Sequence, residues 1–297
     1  MADSSGEADI RGINIDKLVK GFADEQYVFK NFVTVSKTSA REIRWYQKGV
    51  SYNANISAPT TTGITTSGIA NTSFGSLPIV AEQKWTRNTS HVRKYFVESP
   101  WITIEDINDS DVDVLATNVR DLVRAVASQV DQRIYNIITE SQSPSLINTA
   151  GASGTGWDDA TNGNPIADIL TGTQNIRSNG YDTSNYVIAM DSLAHKQLMV
   201  FLITTKGSSI PNFSSEQVNK SVVMNLLGGS VLVSENVVTD SVALWIPNRA
   251  ASWKSFMPMM SAIKTEEGIG KKIRVWEEGE AILTDPKAVH LITDTTT

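Results

Sequence analysis

Cysteine is absent from this chain of 297 residues, which excludes disulfide bonds and thiolate chemistry. Histidine is scarce, because His91, His195 and His290 are the only three and they stand far apart in the sequence. A zinc site needs clustered ligands, such as two histidines one helical turn apart. We therefore expect no metal site and assign the three histidines structural roles.

The chain also lacks long apolar runs and an excess of basic residues. No segment approaches the ~20 apolar residues of a membrane span, and the N-terminal sequence MADSSGEADIRG has no apolar core of a signal peptide. The net charge of −6 gives no general attraction to nucleic acid. With 40% hydrophobic and 20% charged residues, we expect a folded, soluble, intracellular protein of one or two domains. Because of the acidic charge, we expect any DNA to be enclosed by the protein rather than bound tightly to its surface.

Charge itself is missing from one segment, the 33 residues from Gly49 to Ala81. This segment is rich in Ser, Thr, Gly and Asn and too poor in apolar residues to form a core. Strands predicted around REIRWYQK and at His91 to Val97 flank it as the legs of a hairpin-like loop, with a connection far longer than the ~2–5 residues of ordinary hairpins. We expect the loop to project and to contact another molecule through residues near its centre: Thr60, Thr61, Thr62, Gly63, Ile64, Gly68 and Ile69.

A helix of roughly 30 residues is predicted from Asp111 to Glu140. Acidic and polar residues cluster at its start, and capping is the preferred explanation because the cluster lacks the glycine that a calcium loop needs at its sixth position. At 1.5 Å per residue the helix would be about 45 Å long, which suits an elongated molecule. The apolar stripe that forms its core face contains Leu115, Val119, Leu122, Val126, Val130 and Ile134.

The remainder of the chain predicts an α+β fold. A helix is predicted from Pro165 to Asn179, followed by Gly180, and a buried strand from Tyr186 to Met190, after which Asp191 or Ser192 caps another helix. Further short apolar segments lie at Val222 to Leu227, Val231 to Val233 and Val242 to Ile246. The tail predicts two strands, KIRVWEE and AILTDPKAVHLI.

Motifs that would indicate catalysis are incomplete. Neither Gly154-Thr-Gly156 nor Gly268-Ile-Gly270 has the rest of a phosphate-binding loop. The carboxylate pairs Asp158-Asp159 and Glu277-Glu278 are interpreted as solvated charge. Arg120 and Arg124 lie one helical turn apart and would either face DNA or pair with carboxylates. We expect no enzymatic activity and no cofactor.

The order of these elements resembles the major capsid proteins of tailed double-stranded-DNA viruses, which have the Hong Kong 97-type fold. The resemblance rests on the loop between Trp45 and Tyr95, the helical segment WITIEDINDSDVDVLATNVRDLVRAVASQVDQRI, the run GYDTSNYVIAMDSLAHKQL and the closing IRVWEEGEAILTDPKAVHLI. It implies five parts of the chain: an N-terminal arm (1–38), an extended loop with its base strands (39–98), a peripheral domain with the spine helix 111–140 (99–160), an axial domain (161–255) and return strands to the peripheral domain (256–297).

The resemblance implies a structural protein that assembles with itself, as pentamers and hexamers, into an icosahedral shell. Double-stranded DNA would be packaged without sequence-specific contacts, and portal, scaffold or decoration proteins would be further partners. The protein would reside in the virion, and in the host cytoplasm during assembly, with no role for a membrane. Three alternatives stay open: an encapsulin-type compartment that encloses an enzyme, a secreted β-rich adhesin or tail component, against which the long helix argues, and a hydrolase with an unrecognised site.

Overall fold

The computed structural model describes residues 27–47, 56–57, 74, 82–83, 85–109, 114–159, 161–203 and 225–296. The strands are β1 Thr34–Lys37, β2 Glu42–Gln47, β3 Ile56–Ser57, β4 Glu82–Gln83, β5 Thr86–His91, β6 Arg93–Glu98, β7 Ile102–Thr103, β8 Asn148–Gly151, β9 Tyr186–Met190, β10 Asn225–Leu226, β11 Gly229–Val233, β12 Ser241–Trp245, β13 Ala251–Glu266, β14 Gly270–Leu283 and β15 Val289–Thr293. The helices are α1 Ile104–Asp109, α2 Val114–Ile138, α3 Pro165–Ser178 and α4 Ser192–Phe201, and short 3-10 turns lie at Lys30–Phe32, Glu140–Gln142 and Pro286–Ala288.

Two larger sheets organise these elements, which confirms the predicted α+β class. One sheet has the order β1-β13-β14-β6, with β7 also paired to β14, and the other has the order β10-β11-β9-β12-β15-β8. The long hairpin of β13 and β14 dominates the first sheet. Its turn contains Gly268, whose φ of +77° is a conformation that glycine adopts without strain.

Helix α2 packs against β14 and β6 and is the long helix that the sequence predicts. It ends at Ile138 rather than at Glu140, because Glu140, Ser141 and Gln142 have positive φ angles that a right-handed helix does not allow. At its other end, residues 111–113 lie outside the described part. Of the predicted stripe, four residues are buried and one is half-buried, while the side chain of Leu115 is not described: the buried four are Val119, Val126, Val130 and Ile134, and the half-buried one is Leu122.

The base of the predicted loop is an antiparallel pair formed by β2 and β5, in which Tyr46 stands opposite Arg87. Farther out, β3 and β4 also pair antiparallel. The prediction of a single return strand from His91 to Val97 was wrong. The chain changes partner at Val92, so that β5 continues the loop and β6 enters the five-stranded sheet beside β14. The run HVRKYFV contains no turn residue that would have signalled this change.

The six-stranded sheet contains the strand predicted from Tyr186 to Met190, which is entirely buried. The Asn164 side chain accepts a hydrogen bond from the Ala167 N–H at 3.2 Å and caps α3, and Asp191 caps α4 through the Ala194 N–H at 2.8 Å. Gly180 follows α3 with a φ of +88°. Gly180 and Asp191 therefore take the positions that the sequence predicts, whereas the cap formed by Asn164 was not predicted.

The tail differs from its prediction in two ways. Strand β14 does not stop after KIRVWEE but continues to Leu283, because residues 279–283 pair with the start of β13. Pro286 lies in the turn that follows, and β15 then enters the six-stranded sheet between β12 and β8. Only β13 and β14 therefore belong to the five-stranded sheet as return strands, while the division of the chain into domains stays a prediction.

Substituting Val126 by proline tests the role of α2. Proline removes a helical hydrogen bond and clashes with the preceding turn, at a cost of about 3 kcal/mol or more. We expect Val126→Pro to accumulate as insoluble protein, whereas Asp121→Ala, at an exposed position of the same helix, should stay soluble. Soluble yields measured by centrifugation and gel electrophoresis compare the two variants, and equal yields would contradict the role given to α2.

Candidate assembly site

The central residues of the predicted contact loop, Thr60 to Ile69, lie outside the described residues. What the structure describes is the base of that loop and the charged groups that hold it. These groups meet at the middle of β14, where strand β6, helix α2 and the segment before β1 come together.

Glu280 joins the loop base to the long helix. Its side chain is fully buried, and Arg133 of α2 donates to Oε1 through Nε at 2.8 Å, with Nη2 at 2.7 Å from the same oxygen. Arg93, the first residue of β6, places Nε 3.1 Å from Oε2, although not in the geometry of a hydrogen bond. One carboxylate thus bridges a cation from the helix and a cation beside the point where the loop leaves the sheet.

Glu277 joins the segment before β1 to the same strand. The Lys30 Nζ lies 2.5 Å from Oε1, and the Tyr27 hydroxyl donates to Oε2. The Lys30 ammonium also lies over the Tyr27 ring, 3.9 Å from its centroid, which adds a favourable cation–π contact. Because the Glu277 side chain is fully buried, both partners are needed to compensate its lost hydration.

Asp131 of α2 fixes the backbone of the same segment. Its carboxylate accepts hydrogen bonds from the Val28 N–H at 2.6 Å and the Lys30 N–H at 3.0 Å. Burial raises the pKa of Asp131 to about 6, and the hydrogen bonds from the backbone N–H groups of residues 28–30 oppose that rise. Helix α2 therefore holds the segment by its main chain, independently of the side chains.

Two groups of contacts thus lie near each other along β14, and we call their charged residues the β14 charge cluster. It consists of three buried carboxylates and three cations: Asp131, Glu277, Glu280, Lys30, Arg93 and Arg133. The prediction that Glu277-Glu278 is solvated charge was wrong, since Glu277 is fully buried and Glu278 nearly so. The sequence held a usable signal. Ile273, Val275 and Glu277 alternate along one face of a strand, so a carboxylate at the third position faces the core.

Two further residues considered in the sequence analysis, His290 and Arg124, lie in the core and in a surface groove. His290 is fully buried beside Gly172 of α3, and burial lowers the pKa of His290 to about 4, so it is neutral. Arg124 lies beside Ser128, Ser234 and Asn236 in a shallow groove between α2 and the turn after β11. Among the described residues, no group of three or more potential metal ligands occurs. No helix in that part of the chain combines the length and apolarity that a membrane span requires.

A family model decides the identity. The model of the phage capsid protein family matches residues 101–292, about two thirds of the chain. The chain belongs to the phage capsid protein family. Together with the fold, the match makes it a major capsid protein of the Hong Kong 97 type. A comparison with curated protein sequences finds no match.

Solved structures share the fold at low sequence identity. A structure from Mycobacterium phage Che8 has a TM-score of 0.61 and 14% identity, and the alignment covers 92% of this chain and 93% of that one. The capsid of a native GTA particle has a TM-score of 0.63 and 11% identity, with coverage of 99% and 95%. The virus-like particle from Pyrococcus furiosus has a TM-score of 0.61 and 11% identity, with coverage of 95% and 98%. The architecture is conserved although few side chains are.

Removing one cation from the β14 charge cluster should have an effect that depends on its burial. Arg133→Ala strands the buried Glu280 carboxylate, and we expect a loss of about 3 kcal/mol or more in the free energy of unfolding. Arg93→Ala removes a side chain that is 59% exposed and screened by solvent, so a loss below about 1 kcal/mol is expected. Urea titrations followed by circular dichroism compare the two variants, and losses of equal size would contradict this account of the cluster.

The raised pKa of Asp131 predicts how the stability of the protein changes with pH. The pKa of Asp131 is about 6 in the folded protein, whereas the ordinary pKa of an aspartate side chain is 3.8. The folded state therefore binds the proton more tightly than the unfolded state does. The contribution of Asp131 to stability is therefore present below pH 4 and is lost as the pH rises through 6.

The advantage of the wild type over Asp131→Asn should accordingly shrink by up to about 3 kcal/mol between pH 4 and pH 7. Urea unfolding of both proteins at each pH measures this difference. The pKa of His290 is lowered and gives the opposite trend, but it is present in both proteins and cancels. If the stability advantage of the wild type over Asp131→Asn grows with pH, this account is wrong, because the backbone hydrogen bonds would then outweigh the burial of the Asp131 carboxylate.

Proposed function

We propose that this capsid protein assembles with itself, as pentamers and hexamers, into an icosahedral shell around packaged double-stranded DNA. The observation that carries the proposal is the anchored base of an uncharged loop. Strands β2 and β5 form a paired stem, and Arg93 at its end contacts a carboxylate that also binds the long helix. The stem fixes the direction in which the loop leaves the subunit.

The loop is suited to contacts with a neighbouring copy. Between Ser57 and Glu82, which pair with each other, 24 residues remain, so each leg spans up to about 40 Å at ~3.3 Å per residue. A thin shell wall gives each subunit little edge area for contacts, and a loop of this length extends the contact surface beyond that edge. Because the loop carries no charge, it is buried on a neighbour without stranding an ion, and main-chain hydrogen bonds supply much of the contact.

The remaining partners follow from the same proposal. An acidic chain encloses DNA without sequence-specific contacts, since its net charge repels phosphates. A portal protein would admit the DNA, and scaffold or decoration proteins would act during or after assembly. The protein would act without catalysis, first in the host cytoplasm and then in the virion.

An encapsulin-type compartment, which would have a related fold, is the second candidate, and a virus-like particle from Pyrococcus furiosus is among the similar structures. The match to the phage capsid family favours a viral shell instead. The contents of particles isolated from cells that carry the virus separate the two functions. Protection of double-stranded DNA from nuclease supports the viral shell, and an enclosed enzyme without DNA supports the compartment.

Replacing Thr60–Thr72 by a short Gly-Ser turn tests the role of the loop. Because the segment has few large apolar side chains, we expect a folded subunit that fails to form closed shells. Circular dichroism measures folding, and sedimentation with negative-stain microscopy measures assembly. A control substitutes Glu267→Asn in the turn of residues 267–269 between β13 and β14, which should preserve folding and assembly. Normal shells from the loop variant would contradict the proposed contact, and an unfolded chain would place the loop in the core of its own subunit.

A further inference from the structure

One face of the five-stranded sheet carries cations and aromatic rings that helix α2 does not cover. Period-two alternation places Lys272, Arg274 and Trp276 of β14 on the same face. The strand register brings residues of β13 and β6 beside them, with Lys264 opposite Lys272 and Phe96 opposite Trp276. This cationic face consists of Lys94, Phe96, Lys264, Lys272, Arg274 and Trp276.

Three of the four cations of this face lie near aromatic rings. Lys264 and Lys272 place their ammonium groups 5.6 Å and 4.9 Å from the centroid of the Trp101 ring. Lys94 lies 5.1 Å from the Phe96 ring, which packs 6.2 Å from the Trp276 ring and is 50% exposed. The face thus presents positive charges beside the aromatic rings of Phe96, Trp101 and Trp276.

The subunit itself neutralises this face only in part. Glu98 pairs with both Lys272 and Arg274, and Glu278 lies 3.5 Å from Lys94. Lys264 has no carboxylate within ion-pair distance in the described part of the chain. It also stands directly opposite Lys272, and like charges opposite each other weaken a sheet. By the same alternation Glu266 of β13 shares this face, so four cations stand against three carboxylates and leave an excess of one positive charge in a chain whose net charge is −6.

A surface of opposite charge begins at the same end of the sheet. Strand β7 pairs with the start of β14, and α1 follows it at once with the exposed residues Glu105 and Asp106. Within the described residues, no ion pair joins Glu105 or Asp106 to the cationic face of the same subunit.

We propose that the cationic face binds the acidic segment around Glu105 and Asp106 of a second copy of this chain. This inference rests on the proposed self-assembly and names a contact that the loop does not supply. Each copy offers both surfaces side by side, so that neighbouring subunits in a closed shell satisfy each other's charges. Complementary charges of this kind select the partner and its register.

The test uses single and paired charge reversals. Lys264→Glu should raise the protein concentration needed for shell formation at least tenfold. The same substitution creates a favourable pair with Lys272, so the thermal unfolding temperature of the subunit should stay unchanged or rise. Impaired assembly without a lower unfolding temperature distinguishes a contact between copies from damage to the fold. Lys264→Gln, which only neutralises the charge, should give an intermediate effect on assembly.

Glu105→Lys should impair assembly to a similar extent, and the double variant Lys264→Glu/Glu105→Lys should restore it. Lys196→Glu, an exposed reversal on α4 with the same change of net charge, is the control and should assemble normally. Sedimentation velocity and negative-stain microscopy over a concentration series measure all five variants beside the wild type. An increase in the salt concentration should weaken wild-type assembly more than that of Lys264→Gln.

Several outcomes would overturn the proposal. These are normal assembly of Lys264→Glu, equal impairment by Lys196→Glu, and a double variant that stays impaired. Shells of Lys264→Glu that assemble normally but lose packaged DNA would assign the face to DNA instead. A wild-type protein that forms no particle at any concentration would overturn both this contact and the proposed function.

Discussion

Burial of charge in the middle of β14 is the constraint on which the rest of the subunit depends. Glu277 and Glu280 are fully buried, and an isolated carboxylate in such a place costs several kcal/mol or more. Their cations come from the segment before β1, from the long helix and from the base of the loop. The buried carboxylates of the strand therefore have their cationic partners only when all three parts of the chain are in position.

This arrangement suits a protein that must be the same in every copy of a shell. Buried ion pairs add little net stability compared with apolar packing, but removal of one partner is costly. The β14 charge cluster thus disfavours alternative positions of the segment before β1 and of the loop base more than it strengthens the fold. Asp131 adds to this by binding backbone N–H groups, which orients the start of β1.

The surfaces left outside this core have a different chemistry. The loop is uncharged over 33 residues, whereas the outer face of the sheet is cationic and the segment around α1 is acidic. In our proposals the uncharged loop adapts to a neighbour through its main chain, and the charged surfaces specify which neighbour and which register are correct. A shell protein needs both, because each subunit must bind several copies without binding them in wrong orientations.

Much of the architecture could be predicted from local patterns. The 3.6-residue period from Val119 to Ile134 indicated the long helix, Pro165 in the first turn marked the start of α3, and Asp191 marked the start of α4 as a cap. The predictions failed where tertiary contacts decide the outcome. The change of partner at Val92 and the extension of β14 to Leu283 depend on pairing with distant strands. The burial of Glu277 depends on Lys30, which lies 247 residues away in the sequence.

The most direct measurement of the central claim is an electron cryomicroscopy reconstruction of the particles that the purified protein forms. Our account predicts a closed icosahedral shell in which residues 49–81 of each subunit lie on an adjacent copy, while Arg93, Arg133 and Glu280 keep their contacts within the subunit. A shell in which the loop folds back onto its own subunit would contradict the account, and so would a protein that stays monomeric under all conditions.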